Sequence, residues 1–289
     1  MSEAPMELAE FAADVAHKAA KGIMAQLPLG LWNKSPIEHK SGRELVSRVD
    51  REAEQLIVSA IRLAYPDHAI QAEEGGAALG ANGQAEYRWI VDPLDGTTNF
   101  LHGHPIFCVS VAVERLRGSG DEAPGIVAGA IRAPYLNETY LAARGQGAYL
   151  NSQTIRLKVS PLDDLADGIV ATGFAYDRER FPNYENFVRV ARQARGIRRC
   201  GSAAMDLAFV AAGRYEAYWE IGIRSHDVAA GALLVEEAGG VVRDLAGGDD
   251  WLEGRTIIAS NGLVHDQLRE LLEVPSQRRL EQRPSTAKQ

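Results

Sequence analysis

Trp89-Ile90-Val91-Asp92-Pro93-Leu94-Asp95-Gly96-Thr97-Thr98 is the stretch from which the rest of the chain can be read. Three apolar residues suit a buried strand. Pro93 and Gly96 then predict a turn, because proline lacks a donor and glycine tolerates strained backbone. Two carboxylates three residues apart on such a turn can converge on one point. Magnesium takes oxygen ligands of this kind, usually one or two carboxylates, waters and substrate phosphate oxygens. The backbone carbonyl between the aspartates can join them, and two threonine hydroxyls stand ready for a water or a phosphate. Asp-Pro-x-Asp-Gly is also a good turn sequence in its own right. A mere turn, however, has no use for two further threonines behind a buried strand.

Outward from this stretch, the N-terminal side predicts two amphipathic helices, over residues 6–27 and 48–65. Each is followed by a proline, Pro28 and Pro66. Between them, Ser41-Gly42-Arg43 reads as a turn between short strands. Residues 73–83, rich in Gly and Ala, read as a loop. Downstream, residues 106–116, 125–132, 137–142 and 147–150 predict antiparallel strands joined by Gly-containing turns, one of them at residues 117–121. The C-terminal half alternates. Strands are expected at 168–172, 215–220, 241–244 and 256–259. Helices are expected at 183–195, 202–212, 227–237 and 264–272, with Ser202 as an N-cap and Gly213 as a stop. The fold class is α/β or α+β, with helices layered against sheets.

The bulk composition narrows the function. Of 289 residues, 46% are apolar and 24% charged, and the net charge is -8. This is an ordinary globular balance and a poor one for gripping a nucleic-acid backbone. The nearest basic cluster, Arg192, Arg195, Arg198 and Arg199, reads first as a solvated helix end and loop, with a binding patch as the alternative. The two cysteines, Cys108 and Cys200, have no metal-ligand spacing. They suit a reduced, cytoplasmic setting, with Cys108 as a small buried residue. The start of the chain lacks the pattern of a signal peptide, and no apolar run is long enough to span a bilayer. Residues 275–289 are polar and are expected to form a mobile tail.

Other acidic residues are weak signals singly. Glu73-Glu74 alone suits a solvated loop. Asp227 suits a helix N-cap or dipole partner, and Glu220 ends a short strand. Together they gain meaning. Glu73-Glu74, Asp92-Pro93-Leu94-Asp95-Gly96-Thr97-Thr98-Asn99-Phe100 and Asp227-Val228-Ala229-Ala230-Gly231 resemble the motifs of the inositol monophosphatase family in order and spacing. Gly201-Ser202-Ala203-Ala204, ahead of Glu220, fits as well. The resemblance spans residues 8–271.

The resemblance implies a layered α/β/α/β/α sandwich of the inositol monophosphatase and fructose-1,6-bisphosphatase type. Residues 1–274 would form one catalytic domain of two packed halves, about 1–150 and 151–274, and the protein would be a homodimer. Glu73, Asp92, the carbonyl of Leu94, Asp95 and Asp227 would hold up to three magnesium ions. Asp50 would hydrogen-bond Thr97, and Thr97 with Glu73 would orient the attacking water. The Gly96 and Thr97 amides would hold phosphate oxygens. Ala203, Glu220, Asp95 and Asp227 would contact substrate. The implied reaction is hydrolysis of a phosphate monoester, inositol 1-phosphate first, by water without a covalent intermediate, with lithium as an inhibitor. Fructose 1,6-bisphosphate, histidinol phosphate and 3'-phosphoadenosine 5'-phosphate are the alternative substrates. A non-catalytic accessory role in RNA synthesis is an alternative of another class.

The four carboxylates that the resemblance brings together make physical sense as a cation site. Without a cation they repel each other and some must protonate. The chain departs from the family at His226, where tryptophan is usual before the last metal aspartate. A packing substitution and an extra polar contact beside the metal are both open. Residues 172–176 are expected to border the substrate, and Arg224 is a candidate cation on that side.

Overall fold

The computed structural model describes residues 4–27, 38–41, 44–46, 48–78, 80, 85–118 and 123–274. The expected tail at 275–289 and the Gly42-Arg43 turn lie outside these residues.

The first helix, α1 (Pro5–Ala25), starts with proline in its first turn and buries Leu8, Ala12, Val15, Ala19 and Ile23. This is the i, i+4, i+7 stripe of an amphipathic helix. A short antiparallel pair follows, β1 (Glu38–Ser41) and β2 (Glu44–Val46). Helix α2 (Arg48–Ala64) buries Val49, Ala53, Ile57 and Ile61. Next come β3 (Ala69–Ala72), β4 (Gly76–Ala78), β5 (Tyr87–Asp95), the single-turn α3 (Thr97–Leu101), β6 (Cys108–Arg115), β7 (Gly125–Ala133), β8 (Glu138–Ala143) and β9 (Gly147–Leu150). These seven strands pair in the order β4-β3-β5-β6-β7-β8-β9. Only β3 and β5 run parallel.

Both faces of this sheet are buried, and the period-2 alternation of a strand sorts side chains between two cores. Trp89 and Val91 of β5 and Val109, Val111 and Val113 of β6 pack with α1 and α2. Ile90, Cys108 and Ala112 face the other way.

The second half adds β10 (Ile169–Thr172), α4 (Tyr184–Ala191), β11 (Gly196–Arg198), α5 (Ala203–Ala211), β12 (Ala217–Ile221), α6 (Ser225–Glu237), β13 (Val241–Arg243), β14 (Thr256–Ser260) and α7 (His265–Leu271). Its five-stranded sheet has the order β11-β10-β12-β14-β13. Tyr218 points to the central core and Trp219 to an outer core with Val190 and Leu268.

Helices α5 and α6 lie between the two sheets. Every residue of α5 is buried, as expected of a helix that is apolar on all sides but for Asp206. Small residues let these layers close. A Cβ added at Gly129 of β7 would meet Ala230 Cα at 3.0 Å, and one at Gly231 would meet Leu207 Cβ at 2.5 Å. The layers run α1 and α2, seven-stranded sheet, α5 and α6, five-stranded sheet, α4 and α7. This is the expected α/β/α/β/α sandwich.

Four local expectations are corrected. The Asp92 turn is a bulge inside a strand: β5 continues to Asp95 with a register shift between Asp92 and Asp95. A bulge accommodates a proline that cannot join the ladder. Within residues 73–83, Gly76–Ala78 adds an edge strand antiparallel to β3. The helix expected at 183–195 ends at Ala191, and Gly196–Arg198 pairs with β10. Finally, α6 opens at Ser225, so Asp227 is its third residue and not its cap.

Candidate metal centre and active site

Chain geometry gathers the four carboxylates at the edge formed by the C-terminal ends of strands β3 and β5. Glu73 continues β3, its N–H donating to Val91 O at 3.2 Å. Asp92 and Asp95 bracket the bulge on the neighbouring β5. Asp227 arrives from the first turn of α6, which points its N-terminus at that edge. Gln71 Nε2 donates to Ser225 Oγ at 2.8 Å, tying β3 to the start of α6.

Two groups of ligand atoms result. Carboxylate oxygens of Asp92, Asp95 and Asp227 lie within 4.8 Å of one another. Oxygens of Glu73 and Asp92 and a ring nitrogen of His226 do the same. Asp92 belongs to both. In octahedral coordination at about 2.0–2.1 Å, ligand atoms stand about 2.9 Å apart when adjacent and about 4.1 Å when opposite. Atoms within 4.8 Å of one another could hold a cation if they draw together to these spacings.

Electrostatics favours the same reading. Burial pushes the Asp92 carboxyl well above its usual range, and Glu73, Asp95 and Asp227 push it further. Asp95 is raised to about 7, by burial first and then by Asp227, against hydrogen bonds from Ser202 and Ala204. Buried like charges of this kind need a cation or a proton. A set of carboxylate oxygens suits a hard divalent ion.

Asp95, Asp92 and Asp227 are each aimed by a second contact. Asp95 Oδ2 accepts from Ser202 Oγ and from Ala204 N, both at 2.7 Å. Ser202 caps α5, accepting from Met205 N. Asp92 Oδ1 accepts from Leu94 N at 3.0 Å. Asp227 Oδ2 accepts from Arg224 N at 2.7 Å, which leaves Oδ1 for the cluster. Glu54 of α2, buried and unremarkable in sequence, accepts from Glu74 N at 2.7 Å and braces the corner that carries Glu73.

Thr97 Oγ1 stands 2.8 Å from Asp50 Oδ1 and 3.1 Å from the Leu94 carbonyl. Gly96, with φ +93°, caps α3 just before it, and a Cβ there would meet Ile106 O at 3.0 Å. Only glycine fits that joint.

Ala203 and Glu220 are outside both carboxylate groups and flank them. Ala203 opens α5 beside the Asp95 contacts. Glu220 lies against Gly173, where an added Cβ would sit 2.0 Å from Glu220 Oε2. It accepts a hydrogen bond from Tyr218 Oη. Burial raises it to about 7, with Asp227 and Asp95 adding to the shift.

Of three further residues near the site, sequence alone does not reach Arg255, places Arg199 in a basic cluster and leaves His226 open between packing and a polar contact. Arg199 is exposed in the loop after β11, yet its charge reaches Asp95, Glu220 and the buried Asp206 and eases the upward shift of each. Arg195 instead pairs with Asp167. Arg255 joins Arg224 and His226 in lining a cavity of about 340 Å³ beside Gln71. His226 joins the ligand cluster itself.

Residues 5–276 match a family model described as the inositol monophosphatase family. The chain is 45% identical over 229 residues to the Nus factor SuhB of Pseudomonas aeruginosa, covering 78% of this chain and 81% of that one. It is 42% identical over 238 residues to the inositol-1-monophosphatase of Mesorhizobium japonicum, covering 82% and 85%. Among solved structures, the extragenic suppressor protein SuhB from Bartonella henselae superimposes with a TM-score of 0.82 at 37% identity, covering 92% of this chain and 98% of that chain.

Proposed function

Since the chain belongs to the inositol monophosphatase family, we propose that it hydrolyses a small phosphate monoester with magnesium, inositol 1-phosphate first among the candidates. The observation that carries this reading is the pair of ligand groups sharing Asp92. Residues 1–274 act as one catalytic unit, because the carboxylates come from both halves of the chain.

Glu73, Asp92, the Leu94 carbonyl, Asp95 and Asp227 would hold up to three magnesium ions. Bound there, the ions would neutralise phosphate charge and lower the pKa of the attacking water. The residues do the rest. Thr97 Oγ1 has two acceptors for its one proton, Asp50 Oδ1 and the Leu94 carbonyl, and its lone pairs remain able to accept. Such a hydroxyl, with Glu73, can orient a water for attack. The Gly96 and Thr97 amides would receive phosphate oxygens, and Arg199 would supply the local cation that an acidic surface lacks. Glu220 and Ala203 would meet the alcohol. With no His, Ser or Cys nucleophile needed, water attacks phosphorus directly and no phosphoenzyme forms.

The reading also carries a homodimer, inhibition by lithium and, given two free thiols, a cytoplasmic setting. Among the described residues no helix is long and apolar enough to cross a membrane. Fructose 1,6-bisphosphate, histidinol phosphate and 3'-phosphoadenosine 5'-phosphate are the alternative substrates. The name Nus factor carried by a relative supports a second reading, an accessory role in RNA synthesis beside hydrolysis.

The test is a panel of these esters assayed for released phosphate with magnesium, with and without lithium. Magnesium-dependent release that lithium suppresses is expected. No release from any ester would overturn the hydrolytic reading and leave the accessory role.

A further inference from the structure

We propose that the imidazole of His226 is a direct ligand of the divalent cation held by Glu73 and Asp92, and that it tilts this site toward manganese over magnesium. The inference rests on the reading of the carboxylate cluster as a metal centre.

Geometry is the first support. A ring nitrogen of His226 lies within 4.8 Å of carboxylate oxygens of both Glu73 and Asp92. Its Nε2 is 3.6 Å from Asp227 Oδ1, longer than a hydrogen bond. The ring is 7% exposed, so it belongs to the cluster's wall and not to the surface.

Rigidity is the second. His226 is the second residue of α6. Ser225, just before it, is tied to Gln71 of β3, two residues ahead of Glu73. Asp227, just after it, is fixed through Arg224 N. The histidine is thus held in register with the strand that carries its partner ligand.

Donor chemistry gives the consequence. Carboxylates, carbonyls and water suit magnesium, calcium and manganese, whereas imidazole suits later first-row ions. Manganese accepts both kinds of donor. An indole in this position could offer only an N–H and no lone pair to a metal. The Asp92, Asp95 and Asp227 group has oxygen donors alone and keeps its magnesium character. One site of mixed donors and one of oxygens should therefore sit side by side across Asp92.

The experiment uses the full chain stripped of metal and titrated with Mn2+ and with Mg2+ by calorimetry. Electron spin-echo envelope modulation is recorded on the sample holding one equivalent of Mn2+. A coupling from directly bound 14N is expected, replaced by a 15N pattern when the histidines alone carry 15N. His226→Gln and His226→Trp should both lose the coupling. Both should lower the preference for manganese over magnesium by at least about tenfold, as even outer partners of metal ligands cost that much. Two variants of different volume guard against a packing defect in one. Manganese bound to the unaltered protein with no coupled nitrogen, or an unchanged preference in both variants, overturns the inference and leaves the carboxylate metal centre standing. Failure of the unaltered protein to bind either ion overturns both.

Discussion

At the residue scale the account depends on what each oxygen is committed to. Asp95 commits one oxygen to Ser202 and Ala204, and Asp227 commits one to Arg224 N. The free oxygens converge with those of Asp92. Thr97 is the sharpest case, because its hydroxyl lies between Asp50 and the Leu94 carbonyl. If Thr97 aims the water, Thr97→Val should lower kcat by about a hundredfold, the lower range for positioned proton-handling groups. The magnesium Kd from calorimetry should stay within about twofold, since Thr97 is not among the ligands. A parallel loss of magnesium affinity would show that Thr97 shapes the metal site instead. Spacing along the chain picked out Asp92 and Asp95, whereas Glu73 and Asp227 joined them only through the family resemblance. It could not find Glu54, the reach of Arg199 to Asp95 or the role of Ser202 toward it. Those depend on which helix faces which strand, a property that spacing along the chain does not carry.

At the element scale the centre depends on helix α6 lying tight on the sheet. Gly129 permits that approach, with Ala230 Cα only 3.0 Å from where a Cβ would stand. Gly129→Val should push α6 outward, costing about 1–3 kcal/mol as overpacking does. Because Asp227 rides on the first turn of α6, magnesium affinity should fall as well. Thermal denaturation with and without magnesium would register both, and a variant with lowered Tm but unchanged affinity would uncouple α6 from the site. Most elements were legible from apolar periodicity. The exceptions are informative. Pro93 and Gly96 announced a turn, yet the ladder with β6 carries β5 past Asp92 through a bulge. Gly76–Ala78 and Gly196–Arg198 are edge strands of three residues. They exist only because a partner strand is there to pair with, which local pattern cannot reveal.

At the scale of the whole molecule, the acidic groups crowded around the site make stability depend on pH and on cations. Asp95 and Glu220 are both raised to about 7 when no cation is bound. Their unfolded values lie near 4. Between these limits the folded state binds more protons than the unfolded state, so stability falls as pH rises from about 4 through 7. The metal-free protein should therefore melt at higher temperature at pH 5.5 than at pH 7.5. Saturating magnesium should raise Tm at pH 7.5 and shrink the difference, since a cation replaces the protons. Equal Tm at both pH values without metal would mean that these carboxylates are not crowded as described. The layered arrangement itself was legible only through resemblance, because no periodicity says that two sheets share a pair of central helices. What made the resemblance specific was the Asp92 to Phe100 string, whose residues serve the site as well as the fold.

The most direct measurement is phosphate release at saturating magnesium by Asp92→Asn beside the unaltered protein, using whichever ester the panel finds best. Asp92 belongs to both ligand groups, so its loss should disable both, lowering turnover by more than about a hundredfold, the upper cost of losing a mere outer partner. The metal-free variant should melt no lower than the metal-free parent, because a neutral amide relieves the repulsion that Asp92 suffers from Glu73, Asp95 and Asp227. Turnover retained by Asp92→Asn would contradict the claim that these carboxylates form the catalytic metal centre.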